Sequence, residues 1–239
     1  MHYLDLTLPT PVSNLACDEA LLNEREAGRG GEVLRVWESP MYFVALGRSR
    51  PVRRDVNLGA CRALLVPVYR RTSGGGTVLL GPGCLNYSLI LRMSPGSSYP
   101  NLSETYAAVL GKHQQMINGL LGVEAGIQGI SDLTLGPHKF SGNAQRRKKR
   151  FMLIHGTFML NFDLARISRL LPVPDETPDY RTGRPHADFL INLGIREAVL
   201  KERLRETWNA LEPLEEIPRD SMEEMAAGFL SDPKWIYQF

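Results

Sequence analysis

Short bursts of alternating apolar and polar residues, separated by turn formers, fill most of the first third of the chain. Residues 3–8 alternate in this way and predict an opening strand. After Pro11, Ser13 is placed to cap a helix that carries Leu15, Cys17, Leu21 and Leu22 on one side as far as Gly28. Asp18 and Glu19 on this helix read either as functional carboxylates or, the preferred reading, as part of a solvated face. Two strands, 33–37 and 42–46, flank a turn at Ser39-Pro40. A short helix falls within 52–65, and 66–69 is again a strand. Residues 77–80 and 85–91 continue the sheet, with Gly81-Pro82-Gly83 forcing a break between them.

A loop over 95–100 precedes a long helical period. Asn101 and Glu104 make a capping pair. Behind them Leu102, Tyr106, Val109, Leu110, Met116, Ile117, Leu120 and Leu121 form an apolar stripe that Gly122 ends. The stripe reads as core. Short strands return around 133–135, 139–144 and 151–161, and a Pro-rich loop covers 171–185. A helix with Val199, Leu200, Leu204, Trp208 and Leu211 on one side follows, then a last helix near 221–230 leading into Trp235-Ile236-Tyr237. Strands precede and follow the long helix without regular strand–helix alternation, which predicts an α+β fold on a mixed sheet. No shift in composition marks a boundary, so 1–239 reads as a single domain.

Composition narrows the function classes. The chain has 239 residues, 43% of them hydrophobic and 23% charged, enough for a sizeable core. A net charge of +2 does not point to nucleic acid. The three cysteines, Cys17, Cys61 and Cys84, have neither zinc spacing nor a disulfide framework, which fits a reducing, cytoplasmic setting. No signal-peptide pattern and no membrane-length apolar run are present, so no membrane partner is expected.

Two stretches carry chemistry. In the first, Arg70 and Arg71 precede Ser73 and the glycines Gly74, Gly75 and Gly76, with Thr77, Val78 and Leu79 following as a strand. Glycine lets backbone approach a ligand closely, successive N–H groups make an anion-binding concavity, and arginine adds a planar cationic fork. The arrangement is neither a Walker loop nor a dinucleotide fingerprint, since no Lys-Ser/Thr and no helix follow. It reads as a sheet-borne loop for a nucleotide phosphate or acyl-adenylate; a flexible surface loop is the bland alternative. In the second, Lys139 sits in a short strand before Ser141, Gly142 and Asn143. An ammonium in an apolar cleft wants an anionic partner, and one facing the glycine loop would neutralise charge on an α-phosphate; a strand-edge lysine facing water is the alternative. The run Arg146-Arg147-Lys148-Lys149-Arg150 is either a solvated hairpin tip or a dock for an acidic partner. His155 reads as a core histidine and Cys84 as structural, although its place beside the loop keeps thiol chemistry open.

In order along the chain, Arg70 to Val78 (RRTSGGGTV), Leu85-Asn86-Tyr87-Ser88, Asp132, Lys139 to Gln145 (KFSGNAQ) and His155-Gly156-Thr157 resemble the motifs of the lipoate–protein ligase and octanoyl/lipoyl transferase family. The resemblance covers roughly the first 160 residues and continues more faintly to Trp235-Ile236-Tyr237. It implies a fold shared with biotin ligases and class II synthetase cores, a mostly antiparallel sheet flanked by helices. It also implies activation of lipoic acid (or octanoate) with ATP and Mg2+ to an acyl-adenylate, then transfer to a lysine of an acidic lipoyl-domain acceptor. Matched residue by residue, Arg71, Ser73, Gly74, Gly75, Gly76, Thr77, Val78 and Leu79 would bind the nucleotide and acyl-adenylate, with Ser141 and Gly142. Lys139 would be catalytic, contacting acyl carbonyl and phosphate, and Asp132 would support it or a metal. Asn86, His155, Gly156 and Thr157 would support the acyl pocket. The chain departs from the family pattern at Leu80-Gly81, where His-Asp is common, and at Cys84 and Ser131, where asparagines are. It ends without the extra C-terminal domain of many bacterial ligases, so a separate accessory protein is a further expected partner. Two alternatives remain. One is an ATP-independent acyl transferase, disfavoured because 123–131 lacks the cysteine such enzymes place upstream of the lysine; the other is a non-catalytic lipoyl-domain binding module.

Overall fold

The computed structural model of the chain describes residues 1–93 and 99–239. The loop expected over 95–100 therefore lies largely outside the described residues. The first half runs β1 (His2–Asp5), α1 (Pro11–Glu26), β2 (Val33–Glu38), β3 (Phe43–Leu46), α2 (Val52–Asp55), α3 (Leu58–Ala63), β4 (Val68–Arg70), β5 (Val78–Leu80) and β6 (Cys84–Arg92). Then come α4 (Leu102–Leu121), β7 (Ala125–Gln128), β8 (Asp132–Leu135), β9 (His138–Arg147), β10 (Phe151–Met159) and α5 (Leu164–Leu170). The chain closes with α6 (His186–Phe189), α7 (Glu197–Thr207), β11 (Glu212–Pro213), α8 (Arg219–Ala227) and α9 (Pro233–Ile236).

Eight strands form one sheet in the order β11-β1-β2-β6-β10-β9-β8-β7. Within this sheet, among the described residues, only the β1 pairings are parallel; β2, β6, β10, β9, β8 and β7 follow one another antiparallel. A smaller sheet, β4-β3-β5, lies beside it. The fold is thus α+β with a mixed, mostly antiparallel sheet. The strands expected at 33–37 and 42–46 are not hairpin partners: the turn at Ser39 and Pro40 sends the chain from the large sheet to the small one.

Both faces of the large sheet are covered. Leu34, Tyr87, Leu89 and Ile154 pack beneath α4 and α7 with Val109, Ile117 and Leu204. On the opposite face Val33, Ile90 and Leu153 meet α1 through Leu21 and Leu22. The small sheet, with α2, α3 and α5, continues that layer through Val44, Leu46, Leu79 and Leu170.

Local chemistry fixes the helix ends. Asn101 Oδ1 accepts from Glu104 N at 2.9 Å, and Gly122 closes α4 with φ +65°, as the sequence pattern requires. On α1 the cap is Thr10, one turn earlier than expected: its hydroxyl accepts from Ser13 N, and Pro11 occupies the first helical turn, where its missing N–H costs nothing. The polar face of α1 is not solvated. Asp18 and Glu19 are 3% and 4% exposed, because α1 lies flat on the sheet. Asp18 binds Arg35 at 2.6 Å and accepts from Ser88 Oγ at 2.7 Å. Leu211 departs from the expected stripe: α7 ends at Thr207 and Leu211 is exposed.

Candidate active site

The glycine loop is organised from within by Arg71. All three guanidinium nitrogens donate to protein: Nε to Ser73 Oγ at 3.0 Å, Nη1 to Ala45 O at 2.9 Å, and Nη2 to Gly74 O and Gly76 O, both at 2.7 Å. Burial pushes this guanidinium down to about 10. Because a trans peptide sets each N–H opposite the preceding carbonyl, drawing the carbonyls of Gly74 and Gly76 inward turns the N–H groups of Gly75 and Thr77 the other way. Among the described residues the N–H groups of Gly74, Gly75 and Gly76 have no main-chain partner. Side chains built at Gly74 or Gly76 would meet open space, whereas Gly75 has φ +84° and lies against Ala144. Three successive exposed glycines thus carry N–H groups without a main-chain partner, the composition from which anion-binding concavities are made.

The second arginine has another task. Arg70 is fully buried and donates to the carbonyls of Gly47, Arg48, Arg50, Trp235 and Ile236, while Trp235 Nε1 donates back to Arg70 O. It joins the chain's last turn to the loop after β3 and presents nothing to an anion.

Beneath the loop a polar chain continues. Ser73 Oγ lies 2.7 Å from His155 Nε2. With Arg71 donating to that oxygen, its proton is free for a neutral imidazole. Burial, with Arg71 adjacent, holds His155 down to about 3. Thr72 Oγ1 donates to Glu19 at 2.7 Å, and Glu19 pairs with Arg146 at 3.2 Å. A cavity of about 10 Å³ between Glu19, Thr72, Ser73 and His155 has room for a single water.

Lys139 is aimed by a β-bulge. Asp132 and Leu133 face Gly142 and Ser141 in register, but Thr134 faces Lys139, so Phe140 has no partner on β8. In an unbroken strand Lys139 would share a face with Ser141 and Asn143. The extra residue resets the alternation. Phe140 enters the core under α4, and Lys139 turns to the face of Gly142 and Ala144. A Cβ at Gly142 would lie 2.9 Å from Lys139 Nζ, so this glycine makes room for the ammonium. Nζ rests 2.7 Å from Asp132 Oδ1, and Tyr180 Oη donates to Asp132 Oδ2 at 2.7 Å. Burial first, then Asp132, raises the Tyr180 phenol, so it stays protonated as a donor. Ala144, against which Gly75 rests, is two residues from Gly142, about 7 Å along the strand.

Loop and lysine therefore share one face of β9. On that face Asn86 and Thr157 are cross-strand neighbours and His155 pairs with Ala144. Ser141 and Gly156 fall on the other face. There Asn143 accepts from Tyr87 Oη at 2.6 Å and donates to Ser131 O and Ser141 Oγ, and a Cβ at Gly156 would strike Asn143 Oδ1 at 1.8 Å. Asn86 donates to Trp37 O and Cys84 O. Thr77 Oγ1 donates to Asp55 at 2.7 Å, Val78 is half-buried, and Leu79 buries its side chain in the core. Tyr180 is a residue that sequence reasoning missed, and Glu19 one for which it preferred a solvated face.

The basic run 146–150 is largely engaged inside the fold. Besides Arg146, Lys148 donates to Asn23 and lies 3.9 Å from Glu19, Arg147 donates to Tyr99 O and Thr105 Oγ1, and Arg150 is held by Glu26. Among the described residues only the Lys149 side chain of this run makes no bond.

The fit to Mg2+ is poor as the residues stand. Both Asp132 oxygens have partners, and among the described residues no cluster of three or more His, Cys, Asp or Glu could hold an ion. Asp132 in this arrangement orients Lys139.

The family model for the lipoyl protein ligase A/B catalytic domain matches residues 10–193. The chain belongs to this family. Among curated lipoyl protein ligase A/B relatives, a putative lipoate-protein ligase A of Aeropyrum pernix is 33% identical over 92% of this chain and 79% of its own length. Lipoate–protein ligase 1 of Staphylococcus aureus is 33% identical over 68% of this chain, which spans only 47% of that protein. An octanoyltransferase LipM of Carboxydothermus hydrogenoformans is 32% identical over 71% of this chain and 68% of its length. The lipoyl protein ligase fold is shared with the bi-partite lipoate protein ligase of Thermoplasma acidophilum, solved in a study of that enzyme and its E2 lipoyl domain. The match has a TM-score of 0.80 at 21% identity, covering 99% of this chain and 95% of that one.

Proposed function

We propose that this chain is an ATP-dependent lipoate–protein ligase. Lipoate (or octanoate) is activated at its carboxylate: a carboxylate oxygen attacks the α-phosphorus, pyrophosphate leaves, and an acyl-AMP forms. The amine of an acceptor lysine on a lipoyl domain then attacks the acyl carbonyl, and AMP departs.

What carries the reading is the shared face of β9: Gly74, Gly75 and Gly76, whose N–H groups lack a main-chain partner, on one side, and Lys139 Nζ farther along it. The N–H row suits phosphate oxygens, and the ammonium neutralises charge growing on the α-phosphate and then on the acyl carbonyl. Asp132 and Tyr180 hold that ammonium in place before substrate arrives. The transferase alternative needs a thiolate, and the setting of the three cysteines counts against one. All are buried, and burial raises Cys17 to about 11 and Cys84 to about 12.

Lipoate-dependent exchange of labelled pyrophosphate into ATP tests this directly. Exchange is expected with lipoate and not with biotin. Its absence, alone and with candidate accessory proteins added, together with acyl transfer from a carrier protein, would make the chain a transferase.

A further inference from the structure

With the 146–150 run engaged by α1 and by the start of α4, a different basic surface stays open. Between α2, α3 and α5 lies a depression of about 620 Å³, lined by Arg53, Arg54, Asn57, Leu58, Ser168 and Arg169 among others. Arg53 and Arg169 are exposed, and among the described residues their side chains form no ion pair. Arg54 makes only long contacts, 3.5 Å to Asp175 and 3.7 Å to Asp55. Nearby in sequence to Asp175, Glu176 faces Arg50 at 3.9 Å. The lining is cationic around a partly apolar floor of Val56 and Leu58.

Two of its lining residues adjoin, along the chain, segments that reach the site. Asp55, the neighbour of Arg54, accepts from Thr77 at the end of the glycine loop. Pro172, also in the lining, begins the segment that carries Tyr180 onto Asp132.

We infer that this arginine-lined depression is the docking surface for an acidic acceptor domain, held there while its lysine enters the site. The nature of the acceptor rests on the proposed ligase reading; the place of docking rests on the charge and position of the lining. Unpaired arginines at a polar rim attract a carboxylate-bearing surface over a long range, and their contribution falls with salt.

The test is direct binding of a purified apo lipoyl domain of net negative charge to the full chain, by calorimetry at low and moderate salt. Arg53→Glu with Arg169→Glu should weaken binding by about tenfold or more at low salt and flatten its salt dependence. Neither side chain makes an internal bond, so unchanged thermal unfolding is expected, and Lys149→Glu serves as a basic-surface control that leaves binding intact. Lipoate-dependent pyrophosphate exchange should be the same in wild type and double variant, since the small substrates bind elsewhere. Equal binding by wild type and double variant overturns the surface, as does a rise in KM for ATP, which would make the depression a nucleotide subsite. Loss of exchange in the wild type itself, with binding still weakened by the double variant, overturns the ligase reading and leaves the surface standing.

Discussion

At the scale of single residues, chemistry was more legible than partnership. Lys139, Asp132 and the glycines could be picked out by type and order; where their side chains end could not. Arg70 and Arg71 look equivalent in the sequence, yet one joins distant segments and the other shapes the loop from inside. Asp18 and Glu19 fall on what a helical projection marks as a wet face, and only the docking of α1 on the sheet shows both to be buried and paired. Buried histidines give a testable pH dependence. His113 and His155 are held at about 3 by burial, against an ordinary 6.5, and burial also lowers His186. Below pH 6.5 the unfolded chain takes up protons that the fold refuses, so stability present above that pH is lost as it falls toward 3. The urea midpoint is expected to be lower at pH 5 than at pH 7; an equal or higher midpoint would mean that these imidazoles are not buried neutral.

At the scale of elements, strands with clear alternation and the capped α4 were readable because their signals are local. The strand β7 was not, since Ala125–Gln128 is short and lacks a β-branched run, nor was α5, which follows β10 after only a few residues. The bulge at Phe140 was equally hidden: nothing in the sequence says that β8 skips a residue there, and that skip puts Lys139 on the face that Gly142 and Ala144 share. The glycine loop offers the sharpest test at this scale. With φ +84° and Arg71 Nη2 3.0 Å from where a Cβ would stand, Gly75→Ala strains a turn that only glycine occupies freely. It should lower stability by about 1 kcal/mol while raising KM for ATP strongly. Gly74→Ala, facing open space, should do less to both. Equal effects of the two substitutions would mean that the loop's conformation does not matter to binding.

Over the whole molecule, three cores on two sheets are tied by a few buried polar links that pattern analysis could not see. The Arg70 clamp is the longest, spanning from β4 to the last turn of the chain. Arg70→Ala leaves several carbonyls without donors and should destabilise the fold by about 3 kcal/mol, read as a lower urea midpoint. Retention of full stability would show that the last turn is not held through this residue. The mixed sheet and its helices followed from the element order, whereas the separation of β3 from β2 into different sheets did not. In the proposed reading, the N–H groups of the glycine loop and the Lys139 ammonium act together on one face of β9. Pyrophosphate exchange with Lys139→Ala tests that convergence most directly. Exchange with lipoate should proceed in the wild type and fall by roughly 10²–10³ or more in a variant that keeps its thermal unfolding profile; exchange at the wild-type rate in that variant would contradict the account.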